Sequence, residues 1–250
     1  MNERAAYDAI DAINWSRLKL IEKSPAHFKA GFSGDSAAFR LGTAAHMAVL
    51  EPEKFATAYT IYKGRRYGKA WDEFEQQAID AGKQVLTQKE YDEASAIRDS
   101  VHRHARASQY LRGGQAEVPL TWTLGAFKCK GRADYIGDCI VDLKSTQDSS
   151  PRAFARSCAK YGYYGQAAWY SDGVFRSTGK RKPFVFIAVE STFPHVVTVF
   201  TVDDSIIEHG REQYLSLLGK LDYCTKQNFW GGYTESEEVA LGLPEWSEAQ

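Results

Sequence analysis

The chain has 250 residues, 44% of them hydrophobic and 25% charged, which is enough to bury a full core without disulfide or metal staples and excludes bulk disorder. No run of about 18 uncharged apolar residues occurs, so a transmembrane helix is excluded, and the acid-bearing first eleven residues read against a signal peptide. The net charge of −1 hides an uneven distribution: eleven basic residues face five acidic ones between Lys128 and Lys182, whereas five acids and no Lys or Arg follow from Tyr233 onward. A locally basic cleft is compatible with that balance, and so is an ordinary solvated surface. Four scattered cysteines (Cys129, Cys139, Cys158, Cys224) form no Cys-x-x-Cys pair, which argues for a reduced, cytoplasmic setting over zinc knuckles or a disulfide framework.

The first part reads as helices. Asn14 and Ser16 are cap candidates ahead of Leu18, Leu20 and Ile21, and Ser24-Pro25 ends that helix. Residues 36–50 are small and apolar apart from Arg40 and His46, which predicts a buried helix stopped before Pro52. Residues 59–68 have the composition of a mobile loop with basic and aromatic members. Thr87 and Glu90 form a capping box that opens a polar helix to about Leu111. Gly113-Gly114 separates this helical part from a mixed one. There, residues 117–124, 126–136 and 139–143 read as strands, with turns at Gly125 and Gly137-Asp138. Ser150-Pro151 opens a helix running through Gln166 to Tyr170; residues 184–189 and 195–202 are strands; Asp203-Asp204 starts a last helix to about Gln227. The expected fold is an α/β or α+β domain with a helical N-terminal elaboration.

The chemistry concentrates on the strands. Asp134 and the triplet Asp142-Leu143-Lys144 form an Asp-x7-Asp-x-Lys pattern, and this is the one acid-x-Lys triplet in the chain. Strand period two points Asp142 and Lys144 to one face and Leu143 to the other, and a hairpin at Gly137-Asp138 brings Asp134 near Asp142. Two carboxylates and a lysine at one spot are costly unless a divalent cation holds them, and oxygen ligands without thiolates select a hard ion such as Mg²⁺ or Mn²⁺. A salt bridge at the sheet edge explains the same triplet. His46 alone in an apolar helix is ordinarily a hydrogen-bonded core residue, and Gln166 and Tyr170, at i and i+4, suit any amphipathic helix as well as a site.

Taken together and in order, Leu41-Gly-Thr-Ala-x-His-x-x-x-Leu-Glu-Pro, Gly131-Arg-x-Asp, Asp142-x-Lys-Ser-Thr and Gln166-x-x-x-Tyr resemble the PD-(D/E)XK nuclease superfamily, RecB-like branch. The similarity is greatest to the exonuclease VIII (RecE) C-terminal nuclease family and extends from about Ile13 to Phe229, including the Trp15-Ser-x-Leu-Lys, Ser24-Pro-Ala-His-Phe and Ala116-Glu-Val segments. Ala133 stands where the superfamily often has proline before the first acid.

The resemblance implies a PD-(D/E)XK core, a central mixed sheet flanked by helices, as a single nuclease domain over residues 1–232. Residues 1–112 would be mainly helical, 113–232 would hold the catalytic sheet, and 233–250 would be an acidic tail. It implies metal binding by His46, Asp134, Asp142 and the Leu143 backbone carbonyl, with Lys144 catalytic, Gln166 and Tyr170 supporting it, and Glu117 as a further acid. Arg132, Lys128, Lys130, Ser145, Thr146, Arg65 and Arg66 are candidates for DNA contact. The implied activity is Mg²⁺-dependent exodeoxyribonuclease action on double-stranded DNA, 5′ to 3′, with Mn²⁺ substituting, in the cytoplasm of a bacterial host. The implied setting is phage-type recombination beside a single-strand annealing protein, as a ring-shaped homo-oligomer without membrane association. A RecB-like endonuclease, a single-strand exonuclease, a catalytically silent DNA-binding module and a structural adaptor remain alternatives from the sequence.

Overall fold

The computed structural model describes residues 3–31, 37–234 and 237–242; the expected helix start at Ser36 and the tail acids Glu235, Glu245 and Glu248 lie outside them. After α1 (Glu3–Asp8), Asn14 caps α2 (Trp15–Lys23) by accepting from the Arg17 N–H at 2.8 Å, whereas Ser16 lies inside the helix. Ser24 ends α2 and at the same time caps α3 (Pro25–Ala30), accepting from the His27 N–H at 3.2 Å, with Pro25 at the first helical position. The predicted stop is thus also a start. The same holds at Pro52: α4 (Ala37–Leu50) ends before it and α5 (Pro52–Ala58) begins on it.

Residues expected as loop hold β1 (Tyr59–Ile61), which pairs in parallel with β2 (Gln84–Leu86) across α6 (Lys69–Asp80). The Thr87 capping box opens α7 (Gln88–Arg103), but the helix does not run on to Leu111. His104 breaks it and caps α8 (Ala105–Tyr110), its Nδ1 accepting from the Ala107 N–H at 3.2 Å. The main sheet comprises β3 (Gln115–Leu124), β4 (Phe127–Ile136), β5 (Ile140–Thr146), β6 (Phe184–Glu190) and β7 (Val197–Val202), in that spatial order. Only β5 and β6 run parallel, as a crossover through helices requires. That crossover is two helices, α9 (Pro151–Tyr161) and α10 (Tyr163–Thr178), because Gly162 takes a left-handed φ of 66° that a helix cannot continue through. Asp203 caps α11 (Asp204–Gln227).

Each face of the sheet carries its own core. On one side Trp15, Leu18, Trp169 and Tyr214 from α2, α10 and α11 close over Trp122, Ile140 and Phe186. On the other, Ala45, Ala48, Ile97 and Val101 from α4 and α7 close over Val141, Leu143 and Ile187. Burial of each such large apolar side chain contributes about 1.5–3 kcal/mol. β5 and β6 are therefore covered on both sides, which explains the unbroken apolar run of β6 and the apolar start of β5, into which Asp142 and Lys144 break. No helix among the described residues is long and apolar enough to cross a membrane.

Candidate functional site

The site sits where the sheet splits. β4 and β5 pair at only two positions, Tyr135↔Val141 and Ile136↔Ile140, before they diverge. The Leu143 N–H, whose ladder partner would lie on β4, donates instead to Asp134 Oδ2 at 2.7 Å. A strand residue projects its N–H and C=O to the same side, so the Leu143 carbonyl faces the same gap. Opposite Asp134 on β3 stands Glu117, at the one step of the β3–β4 ladder left unpaired. Glu117 has a φ of 55°, a left-handed conformation that costs a non-glycine residue about 1–2 kcal/mol. The faces exchange there: Val118 and Ala133 belong to the core under α10, whereas Ala116 and Tyr135, two residues away on each strand, belong to the core under α4.

Into this gap α4 sends His46. Its Nε2 lies 2.8 Å from Asp134 Oδ2 and its Nδ1 3.2 Å from Glu117 Oε1, while Glu117 Oε2 meets Arg132 Nε at 2.6 Å. From the opposite face, Lys144 Nζ pairs with Asp142 Oδ2 at 2.5 Å, donates to Gln166 Oε1 at 2.9 Å and stands 4.6 Å over the ring of Tyr163. Tyr170 packs against the bare backbone of Gly131: a Cβ there would come within 2.8 Å of its ring, so the glycine of the Gly-Arg-x-Asp segment makes room for the tyrosine.

The charges are strongly coupled. Burial drives the Asp142 carboxyl up to about 6; the Lys144 ammonium opposes that rise and the neighbouring Asp134 adds to it. Burial would also raise Asp134, but His46, Lys144 and the Leu143 N–H outweigh it and hold the carboxyl below the usual range. For His46 burial works downward, and Asp134 and Glu117 together lift the imidazole to about 10. Lys144, which burial would lower, is raised by Asp142 and Asp134. Burial, with the two aspartates behind it, raises the Tyr170 phenol.

This donor set suits a divalent cation. The Asp142 side chain is 1% exposed, its Oδ1 has no hydrogen-bond partner, and its Oδ2 meets only the Lys144 ammonium. A buried carboxylate left without hydrogen bonds is costly. Asp134, the Leu143 carbonyl and one imidazole complete an oxygen-rich set without thiolate, the preference of Mg²⁺ or Mn²⁺. Among the described residues no three His, Cys, Asp or Glu side chains already stand at metal-ligand spacing, since His46 is drawn onto Asp134 and Glu117, and Asp142 onto Lys144.

Several expected DNA contacts lie elsewhere. Lys130 is buried, and its ammonium donates to the carbonyls of Tyr7, Asp8 and Ile10 at 2.8–3.1 Å, so it ties down the N-terminal segment and is closed to DNA. Arg66 is spent on Glu90 at 2.7 Å and the Val85 carbonyl at 3.0 Å, locking the β2–α7 corner. Arg65 is exposed and donates to the Tyr67 hydroxyl at 2.9 Å. Lys128 is exposed near the β3–β4 turn, six residues or about 20 Å along the strand from Asp134. The Thr146 hydroxyl donates to the Asp148 carbonyl within a turn, and Ser145 is exposed. Arg132 stays beside the site through Glu117. Sequence reasoning misses two neighbours. Tyr163 carries a signal, standing three residues before Gln166 on one helix face; Tyr7, whose ring lies under Lys130 and Arg132, carries none.

A five-stranded mixed sheet splayed around Asp134, with Asp142-Leu143-Lys144 on the next strand, defines a PD-(D/E)XK, restriction-endonuclease-like protein. The chain belongs to the PDDEXK-like domain of unknown function family DUF3799, whose model matches residues 14–241. The motif resemblance thus holds at the level of the superfamily. Among solved structures it is similar to a provisionally named exonuclease from Eubacterium rectale, with TM-score 0.66 and 16% identity over 100% of this chain and 98% of that one. A phage-related exonuclease from Haemophilus somnus 129PT is more distant, at TM-score 0.37 and 12% identity over 89% and 99% of the chains. The alkaline exonuclease LHK-Exo from Laribacter hongkongensis gives TM-score 0.31 and 16% identity over 91% and 98%. At 16% identity the likeness to the Eubacterium rectale structure speaks to fold. No curated protein matches the chain.

Proposed function

We propose that the protein is a metal-dependent deoxyribonuclease, and specifically a Mg²⁺-dependent exonuclease that degrades double-stranded DNA from the 5′ end. The observation that carries the nuclease reading is the buried Asp142 carboxylate, without a hydrogen bond on Oδ1, beside Asp134 and Lys144 in the split of the sheet. Asp134, Asp142, the Leu143 carbonyl and His46 would hold Mg²⁺, with Mn²⁺ able to replace it. When bound, such an ion supplies positive charge against the scissile phosphate and renders a neighbouring water more acidic.

The protein's own groups supply position. Gln166 and Asp142 each accept a hydrogen bond from the Lys144 ammonium and the Tyr163 ring lies beneath it, so one N–H is left for a water or phosphate oxygen in the gap. Glu117 orients the His46 ring from its far nitrogen, as partners behind metal-binding histidines generally do. Tyr170 keeps its proton under these conditions and can serve as a donor. The similarity to the Eubacterium rectale structure, itself named an exonuclease, supports the exonuclease reading. The 5′ polarity, the annealing-protein partner, the ring-shaped oligomer and the bacterial cytoplasm draw their support from the RecE resemblance.

Linear duplex labelled at either end, circular duplex and single strands, each incubated with Mg²⁺, Mn²⁺ or chelator, test the proposal. Release of nucleotides from 5′ ends of linear duplex, requiring metal and abolished in Lys144→Ala and Asp142→Ala, is expected. Cleavage of circular duplex replaces the exonuclease with an endonuclease. Metal-independent cleavage, or full activity in both variants, removes the assignment.

A further inference from the structure

We infer that α9 carries a track for the DNA backbone: Arg152, Arg156 and Lys160 form an exposed cationic stripe that binds successive phosphates of substrate DNA beside the site. This rests on the nuclease reading above and names the surface that holds the substrate.

The stripe follows from spacing. The three residues stand at i, i+4 and i+8, one face of a helix, and all are exposed. Phe154 and Cys158, two residues out of phase, are buried against the sheet, with Phe154 stacked on Phe200 at 4.6 Å. Each step along the stripe is about 6 Å, comparable to the step between neighbouring phosphates on one strand.

Its charges are unspent. Four exposed helix lysines elsewhere are paired with an acid three or four residues away: Lys54–Glu51, Lys69–Glu73, Lys89–Glu93 and Lys226–Asp222. α9 contains no acid at all. Among the described residues Arg152 and Arg156 have neither an ion-pair nor a hydrogen-bond partner, and Lys160 lies only over the Tyr161 ring at 5.3 Å. Like charges four residues apart repel, so the arrangement opposes helix stability and suits an external polyanion.

Its position fits as well. α9 begins five residues after the end of β5, the strand that carries Asp142 and Lys144. It ends two residues before Tyr163, whose ring lies under the Lys144 ammonium. The stripe therefore starts at the rim of the sheet and runs toward the site. Phosphate contacts position a duplex without reading its sequence, which is what an exonuclease of broad specificity needs.

The test is the salt dependence of DNA affinity. Anisotropy of a labelled duplex, with Ca²⁺ in place of Mg²⁺, is followed for wild type, the triple Arg152→Ala/Arg156→Ala/Lys160→Ala variant and the double Arg152→Lys/Arg156→Lys variant. Cleavage is measured on the same preparations with Mg²⁺, and melting confirms the fold. The triple variant should bind at least tenfold more weakly, and its slope of log affinity against log salt should fall by about 2.7, roughly 0.9 for each phosphate no longer neutralised. The lysine variant should keep the wild-type slope. A triple variant with wild-type slope, in a protein that cleaves DNA, overturns the stripe and leaves the nuclease reading standing. A folded wild type that neither binds nor cleaves duplex overturns both.

Discussion

Glu117 holds an unfavourable backbone conformation at the point where its carboxylate can reach both His46 and Arg132. Strain of that kind persists where the surroundings over-determine it, often at functional sites. The expected consequence is that Glu117→Gln, which keeps the shape but removes the charge behind the imidazole, raises the Mn²⁺ concentration for half-maximal cleavage by roughly 10–100-fold. Unchanged metal dependence would reduce Glu117 to a packing residue. At this scale the sequence is partly legible. Strand period alone places Asp142 and Lys144 on one face. It cannot place Glu117 beside Asp134, because both strands switch faces at those residues and simple alternation fails there. Lys130 and Arg66 mislead for another reason. Their charge predicts a surface, but their partners are carbonyls and a carboxylate brought in by distant segments.

Among the elements, the beginnings of helices are plain in the sequence and their interruptions are not. Thr87 and Glu90 satisfy one another's backbone amides as the box requires, and Glu90 also fixes Arg66. Thr87→Ala should therefore lower stability by about 1 kcal/mol. Thermal unfolding would show this as a midpoint about 2–4 °C lower. An unmoved midpoint would mean that the Arg66–Glu90 bond alone holds the corner. Predicted helices running through 104 and 162 prove to be pairs, since apolar spacing continues across a break whose cause is one capping side chain or one left-handed glycine. β1 and β2 escape detection because three residues are too few to show a period, and their pairing spans an intervening helix.

At the scale of the whole molecule, α10 and α11 are locked by a network of three side chains. Arg211 donates to both Asp172 oxygens at 2.7 Å, and the Tyr214 hydroxyl donates to Oδ2 at 2.5 Å. Burial would raise the Asp172 carboxyl, but these donors outweigh it and leave it below the ordinary range. A carboxyl lowered in the folded state stabilises fully above its unfolded value of about 4, and that stabilisation disappears as pH falls through the folded value. Urea midpoints measured from pH 6 to pH 3 should accordingly fall on the acid side. Asp172→Asn should be less stable near neutrality by about 1.5–3 kcal/mol and show a shallower acid decline. Parallel curves for the two proteins would exclude the network as an acid-sensitive lock.

The same division separates what each level of description decides. Local chemistry in the sequence suffices to mark most strands, the caps at Asn14 and Thr87, and the aspartate–lysine pair, because periodicity and capping act within a few residues. Only the tertiary structure determines that His46 reaches Asp134 from a helix on the far face, that Lys130 turns inward, and that the sheet opens at Leu143. Those outcomes depend on desolvation and on partners up to 123 positions away, as with Lys130 and Tyr7, and no local pattern encodes them.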